Sequence, residues 1–353
     1  MHPMTSKTAN PGRRLMTLIA ALGLLGAASP RQIDFQHLDL NGDGVIDRDE
    51  APRKAAFDGI DTDGNGEVTE SEFNEYINPL PAAPEINKQV HRDIVYYSDS
   101  QLRARNIDNS ALVSLDIYQP EHGRNLPVVA YVHGGSWQRG DKRAVHSKAD
   151  FFLASGFIFA SINYRLRPAV GMDTLQQDTA AAVAWLHRNI GSYGGNADNL
   201  FLLGHSAGAH QVAIIGTRRE LLESNGLDLS TLAGVVELDT MALDVPLMMK
   251  TGKRFYGPIF GTDSQTLGEV SPYDNIEAGH HTPPFLFVVA NSNSRKLMQS
   301  RRMLKKLNAI GDASELIKAP NRTHGTLNRS LGGIGDEYGP QILVFMRNHL
   351  RGQ

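Results

Sequence analysis

From about residue 112 onward, apolar runs rich in β-branched residues recur along the chain. They fall at Leu112–Tyr118, Val128–His133, Phe157–Tyr164, Leu200–Gly204, Gly234–Leu238, Phe285–Ala290 and Leu316–Ile317. Helical spacing fills most of the gaps. Leu175, Ala182, Val183 and Leu186 share one face of a helix predicted over Thr174–Asn189, and Leu297, Met298, Leu304 and Leu307 share one over Arg295–Ile310. A last helix is predicted over Gln341–Leu350. Strands alternating with helices predict an α/β domain with a mostly parallel sheet. The runs are apolar throughout rather than alternating, as burial on both faces requires. The stretch 90–118 is predicted to supply antiparallel edge strands. In open parallel sheets chemistry gathers at the carboxyl ends of the strands, so the residues that follow each run are the ones to examine.

After the run ending at Leu203 comes Gly204-His205-Ser206-Ala207-Gly208, then helical residues. Between a strand and a helix, G-x-S-x-G makes a strained turn that lifts a serine hydroxyl above the sheet. The helix N-terminus behind it presents backbone N–H groups to negative charge. After Val128–Val132 comes His133-Gly134-Gly135-Ser136-Trp137. Its glycines let backbone N–H groups approach a carbonyl oxygen, and Gly134, Gly135 and Ala207 are the predicted oxyanion donors. A hydroxyl nucleophile needs a base, and His324, the only histidine between the last strand and the C-terminal helix, is the candidate. His280 and His281 precede a strand and face the other end of the sheet. His133 and His205 belong to the motifs as structural residues, and His146, His187, His210 and His349 are assigned to helices.

His133-Gly-Gly-Ser-Trp, Asn163-Tyr-Arg-Leu and Gly204-His-Ser-Ala-Gly resemble the hormone-sensitive-lipase-like and feruloyl-esterase-like carboxylesterases of the α/β-hydrolase superfamily. The resemblance covers about residues 110–350. It implies an α/β-hydrolase fold with an eight-stranded, mostly parallel sheet flanked by helices. It also implies cofactor-free hydrolysis of carboxylic esters, with Ser206 as nucleophile. The acid departs from the pattern. In those esterases it follows the strand before the last, where this chain has Asn291-Ser292-Asn293-Ser294, and the next carboxylate is Asp312. Asp239, after the preceding strand, stands where pancreatic-type lipases of the superfamily carry their acid, and Asp244 in the same loop is the second choice. Asp178 and Asp198 are expected to brace helix and strand starts near the nucleophile. The roughly 45 residues between Asp239 and Phe285 carry Leu247, Met248, Met249, Phe255, Tyr256 and Phe260. They are either a substrate cap or ordinary helix packing. An amidase, peptidase or kynurenine-formamidase-like hydrolase on the same scaffold is an alternative. So is a calcium-dependent adhesion or scaffold protein with a degenerate hydrolase domain.

Charge separates the front of the chain from the rest. Residues 30–80 hold 13 acidic and 4 basic side chains, whereas the whole chain of 353 residues has 38 and 35. That overall balance supplies no basic field for nucleic acid. The acids in 30–78 follow a pattern. Asp39, Asn41, Asp43, Val45, Asp47 and Glu50 occupy positions 1, 3, 5, 7, 9 and 12 of one loop, with Gly44 at the sharp turn. Asp61, Asp63, Asn65, Glu67, Thr69 and Glu72 repeat it, with Gly66. Both loops resemble EF-hands, whose spacing wraps oxygens around Ca²⁺, Val45 and Glu67 contributing carbonyls. Ile46 is placed to pair with its counterpart in the second loop, and Phe35 and Phe57 to share a small core. With few Met or aromatic residues in 30–78, the ion is expected to be structural. Asn78-Pro79-Leu80-Pro81-Ala82-Ala83-Pro84 opens a stiff linker over 79–89, with the catalytic domain over 90–353. Lys7, Arg13 and Arg14 precede the uncharged run Leu15–Ala28, too short to span a bilayer and suited to a signal-peptide core over 1–28. The expected location is secreted or periplasmic. The expected partners are calcium and a small-molecule or carbohydrate-linked ester, with no nucleic acid and no membrane span after cleavage. No cysteine is present, which excludes disulfides and a thiol nucleophile.

Overall fold

The computed structural model describes residues 39, 44–47, 60, 67–70, 72–73, 87–290 and 294–352. The chain divides into two units, Met1–Leu80 and Pro81–Gln353.

In the first unit, strand β1 (Val45–Asp47) pairs antiparallel with β2 (Glu67–Thr69), Ile46 opposite Val68. Both side chains are buried, as are Ile60 and Phe73. Position 8 of each loop therefore meets its counterpart, as the repeat predicts. Asp39 Oδ2 accepts from Gly44 N at 2.9 Å, which turns the first loop back on its opening ligand. The buried Glu72 carboxylate accepts from Thr69 N and Thr69 Oγ1, both at 3.0 Å. Of the twelve predicted ligands, Asn41, Asp43, Glu50, Asp61, Asp63 and Asn65 lie outside the described residues, as do Phe35, Phe57 and the segment 1–28. Asp39, Val45, Asp47, Glu67, Thr69 and Glu72 lie within them.

The second unit is an eight-stranded sheet in the order β10-β9-β8-β7-β5-β6-β4-β3. The strands are β3 (Lys88–Val95), β4 (Ser114–Pro120), β5 (Leu126–Val132), β6 (Ile158–Ile162), β7 (Gly195–His205), β8 (Leu232–Leu238), β9 (Phe285–Ala290) and β10 (Glu315–Ala319). Strands β5 to β10 are mutually parallel, and β4 and β3 close one edge antiparallel. The strand Lys88–Val95 takes Lys88 and Gln89 from the C-terminal end of the predicted linker. Every residue of β6, β8 and β9 is buried, so these runs are covered on both faces. The seven helices that matter here are α1 (Lys148–Ala154), α2 (Met172–Asn189), α3 (Ala207–Ile215), α4 (Val245–Phe260), α5 (Ser294–Ala309), α6 (His324–Arg329) and α7 (Tyr338–Asn348). Two apolar cores lie on the two faces of the sheet. One gathers α2, α3 and α4 residues such as Leu186, Val212 and Met248. The other gathers α1 and α7 residues such as Phe152 and Phe345. No helix among the described residues is long and apolar enough to cross a membrane.

Two assignments change. His146 is in a turn before α1, with φ +49°, rather than in a helix. Asp178 is not at a helix or strand start. It lies inside α2, where its buried carboxylate accepts from Tyr97 Oη and, through both oxygens, from Arg165 Nε and Nη2.

Candidate active site

Because β5 to β10 run parallel, the residues that follow them share one edge of the sheet. Ser206 follows β7, Asp239 follows β8 and His324 opens α6 after β10. Ser206 takes φ +56° and ψ −116°, a region that non-glycine residues rarely occupy and that costs about 1–3 kcal/mol. Its neighbours make the turn possible. A Cβ on Gly204 would overlap the Gly208 backbone, and one on Gly208 would overlap the Val132 and His133 carbonyls. Ser206 N donates to Leu238 O at 2.9 Å, so the turn is pinned to the end of β8 beside Asp239.

The side chains then form a chain of contacts. Ser206 Oγ lies 2.9 Å from His324 Nε2, and His324 Nδ1 lies 2.7 Å from Asp239 Oδ2. A carboxylate only accepts, so the imidazole proton belongs on Nδ1 and Nε2 is left to accept from the serine hydroxyl. Asp239 is itself held at φ +63°, and its Oδ1 accepts from Ala290 N at 2.9 Å. The Asp239 side chain is 1% exposed and the His324 ring 23%. The predicted second choice, Asp244, does not reach His324. It caps α4 through Leu247 N at 2.9 Å and pairs with Arg302 at 3.1 Å. Asp312 accepts from Thr282 Oγ1, a residue preceding β9, towards the other end of the sheet. Asn293 and its neighbours 291–292 lie outside the described residues.

The glycine loop after β5 is held from several sides. Gly135 takes φ +122°, and Ser136 and Trp137 also have positive φ. Gln138 N and Arg139 N both donate to Gly135 O at 3.0 Å, closing the loop. Among the described residues no acceptor meets the N–H of Gly134, Gly135 or Ala207. His133 stacks on Tyr164, rings 4.7 Å apart, and Tyr164 Oη donates to His133 O at 3.0 Å. Burial pushes the His133 imidazole below its usual range, which keeps it neutral as a support. Asn163 Oδ1 accepts from Lys142 N at 2.7 Å, fixing the far end of the same loop. The buried Lys142 head pairs with the exposed Asp93 and with Asp116, which is fully buried on β4. The Asn163-Tyr164-Arg165 run therefore acts as a bracket for the oxyanion loop.

Three contacts were not legible in the sequence. The His205 ring packs against His324, centroids 4.5 Å apart, and its Nε2 lies 2.8 Å from His324 O. Burial and then the nearby His324 push His205 well below the usual histidine range. Lys296, near the start of α5, reaches Asp239 Oδ2 at 2.5 Å. Glu237 on β8 accepts from Thr240 N, beneath the Asp239 turn. A carboxylate within an otherwise apolar run was the available signal for Glu237; nothing in the local pattern singled out the other two. In the insertion, Phe260 of α4 packs on Trp137 at 4.8 Å, Arg167 donates to Pro258 O at 2.7 Å, and Phe255 is 66% exposed. The helix thus packs against the oxyanion loop and also presents an apolar side chain outward.

A strained serine, an imidazole and a buried carboxylate at the carboxyl edge of a mostly parallel sheet define an α/β-hydrolase. The BD-FAE family model matches residues 115–307, and the chain belongs to that family of α/β-hydrolase esterases. The EF-hand model matches residues 33–50 and 54–77. A probable isoprenylcysteine alpha-carbonyl methylesterase of Oryza sativa subsp. japonica is 33% identical over 146 residues, 41% of this chain and 32% of its own length. Esterase LipQ of Mycobacterium tuberculosis is 37% identical over 93 residues, 26% and 22%. Glutactin of Drosophila melanogaster is 31% identical over 157 residues, 41% and 15%. The chain thus spans about a third or less of these relatives. Among solved structures, esterase B from Lactobacillus rhamnosis superposes with TM-score 0.62 at 20% identity, covering 77% of this chain and 89% of its own. A truncated carbohydrate esterase from gut microbiota gives 0.61 at 18%, covering 76% and 98%. Both likenesses concern the fold.

Proposed function

We propose that the protein is an exported serine hydrolase that cleaves small carboxylic esters through an acyl-enzyme. The contact chain Ser206–His324–Asp239, at 2.9 and 2.7 Å, carries the reading. Ser206 Oγ attacks the ester carbonyl carbon as its proton moves to His324 Nε2. The carbonyl π pair becomes an oxyanion facing the N–H groups of Gly134, Gly135 and Ala207. Loss of one such donor typically costs about 100- to 1,000-fold in rate. Collapse expels the alkoxide, which takes the proton from His324. Water then repeats the sequence on the acyl-enzyme, with His324 as base, and frees Ser206. Asp239 holds the Nδ1–H tautomer and balances the imidazolium formed in each half. The amidase reading is separated from this one by an amide and ester pair sharing one acyl group.

The front module is proposed to bind Ca²⁺ for its own folding. The donor set fits a hard cation, with Asp39 folded back on its loop and Glu72 drawn into the interior beside the paired strands. When bound, Ca²⁺ neutralises the clustered carboxylates. Export follows from the basic and apolar start of the chain, with cleavage near Ala28.

Hydrolysis of p-nitrophenyl acetate tests the catalytic assignment. Ser206→Ala is expected to abolish it and Asp239→Asn to lower kcat by roughly a thousandfold or more. Asp244→Asn is expected to retain most activity. Full activity of Asp239→Asn would move the acid role elsewhere.

A further inference from the structure

Three hydrogen-bond donors converge on the Asp239 carboxylate. Oδ1 takes Ala290 N at 2.9 Å, and Oδ2 takes both His324 Nδ1 at 2.7 Å and Lys296 Nζ at 2.5 Å. The lysine head is therefore also close to the imidazole, 3.1 Å from His324 Nδ1. With the proton on Nδ1, that last approach joins two donors and is not a hydrogen bond. The Lys296 side chain is 13% exposed and Asp239 1%, so water screens the arrangement little. An Asp–His pair in a serine hydrolase needs no such cation. Lys296 is a counter-ion to the buried Asp239 carboxylate, and from the same position it also opposes positive charge on the ring.

We infer that Lys296 is a positioning residue that shares Asp239 Oδ2 with His324 and so sets how far into acid the enzyme keeps working. The inference rests on His324 being the base of the proposed reaction. A resting imidazolium cannot accept the Ser206 proton. A second cation beside the ring makes that resting form harder to reach, and the acid side of the activity profile extends downward. The same repulsion opposes the imidazolium formed during attack, so the plateau rate is restrained.

The other charged groups around the ring act differently. Glu237, beneath the Asp239 turn, is fully buried, and burial pushes its carboxyl up to about 8. It is thus uncharged across the acid limb and changes only on the alkaline side. His205, whose ring packs tilted against that of His324, is held neutral by burial. Lys148 is pushed down to about 7 by burial, and it donates to Asn328 O near the far end of α6. It is also a cation across the acid limb, but it does not touch Asp239 or the His324 ring. Among the described groups this leaves Lys296 as the cation in contact with both.

The test is the pH profile of kcat/KM for p-nitrophenyl acetate, paired with the second-order rate of fluorophosphonate labelling. Full-length wild type, Lys296→Met and Lys296→Arg would be measured between pH 4 and 9. In Lys296→Met the half-maximal point of the acid limb is expected to rise by about one pH unit or more, as removal of an adjacent like charge does. Labelling should move with it, and Lys296→Arg should restore the wild-type limb. A limb that stays in place in a folded Lys296→Met variant overturns the inference, whatever happens to the plateau. So does a limb that moves equally in Lys296→Arg. If wild type itself is not labelled at Ser206, the proposed reaction fails instead, which is a separate result.

Discussion

Three unrelated parts of the chain meet at the Asp239 carboxylate, the end of β9, the start of α5 and the His324 ring on α6, which is what the proposed acid role requires. The Leu-Asp step at the end of β8 made it legible as a candidate. Deciding against Asp244 required knowing that Asp244 faces Leu247 N and Arg302. Lys296 was hidden because a long flexible side chain leaves no periodic trace of where its head lands. Glu237 shows the same limit from the other side. One oxygen accepts from Thr240 N and the other meets no partner among the described residues, which suits a neutral acid. Its carboxyl is raised from 4.5 to about 8 by burial. The folded state therefore holds its proton where the unfolded chain has lost it. Stability from this residue is complete below pH 4.5 and drains as pH rises to 8. Glu237→Gln removes the titration. The variant is expected to gain on wild type between pH 4.5 and 8, by up to roughly 4 kcal/mol, in urea melts at stepped pH. Parallel stability curves would show that Glu237 is not buried as an acid.

At the scale of elements, the elbow is the feature on which the site geometry depends. Its sequence signature was readable because both glycines are forced by backbone approach, Gly204 to Gly208 and Gly208 to Val132. Gly208→Ala is expected to displace α3 from β5 and reduce p-nitrophenyl acetate turnover by at least a hundredfold, with a lowered melting temperature. Near-normal turnover would mean that the close approach is not required. The parallel strands were also legible, because buried runs such as Phe285–Ala290 carry no polar alternation. Their ends were less so. β7 starts at Gly195, several polar residues before its apolar part, because pairing of Leu126 with Gly195 extends the ladder. The Asn163-Tyr164-Arg165 bracket could be recognised as a motif. Its work, tying His133, Lys142 and Asp178 together, is a property of three loops meeting and not of any one stretch.

Across the whole molecule, two units carry separate chemistry on one chain. The EF-hand loops were the most legible part, since a twelve-residue spacing is written directly in sequence. The pairing of Ile46 with Val68 follows from it. If the ion is structural, chelation with EGTA should unfold residues 30–78, seen as loss of protease resistance there. Turnover of a soluble ester should change less than twofold. Loss of turnover on chelation would make calcium part of catalysis or of its control. Export has its own check. The exported protein is expected to begin near Ser29, read by N-terminal sequencing, and an intact Met1 would contradict cleavage.

The central claim is that Ser206 is made nucleophilic by His324. Intact-mass and peptide spectrometry after treatment with a fluorophosphonate tests it most directly. The account predicts a single adduct on the peptide carrying Ser206 in wild type and none in Ser206→Ala or in His324→Ala at the same exposure. An unlabelled wild-type protein, or an adduct on another residue, would contradict it.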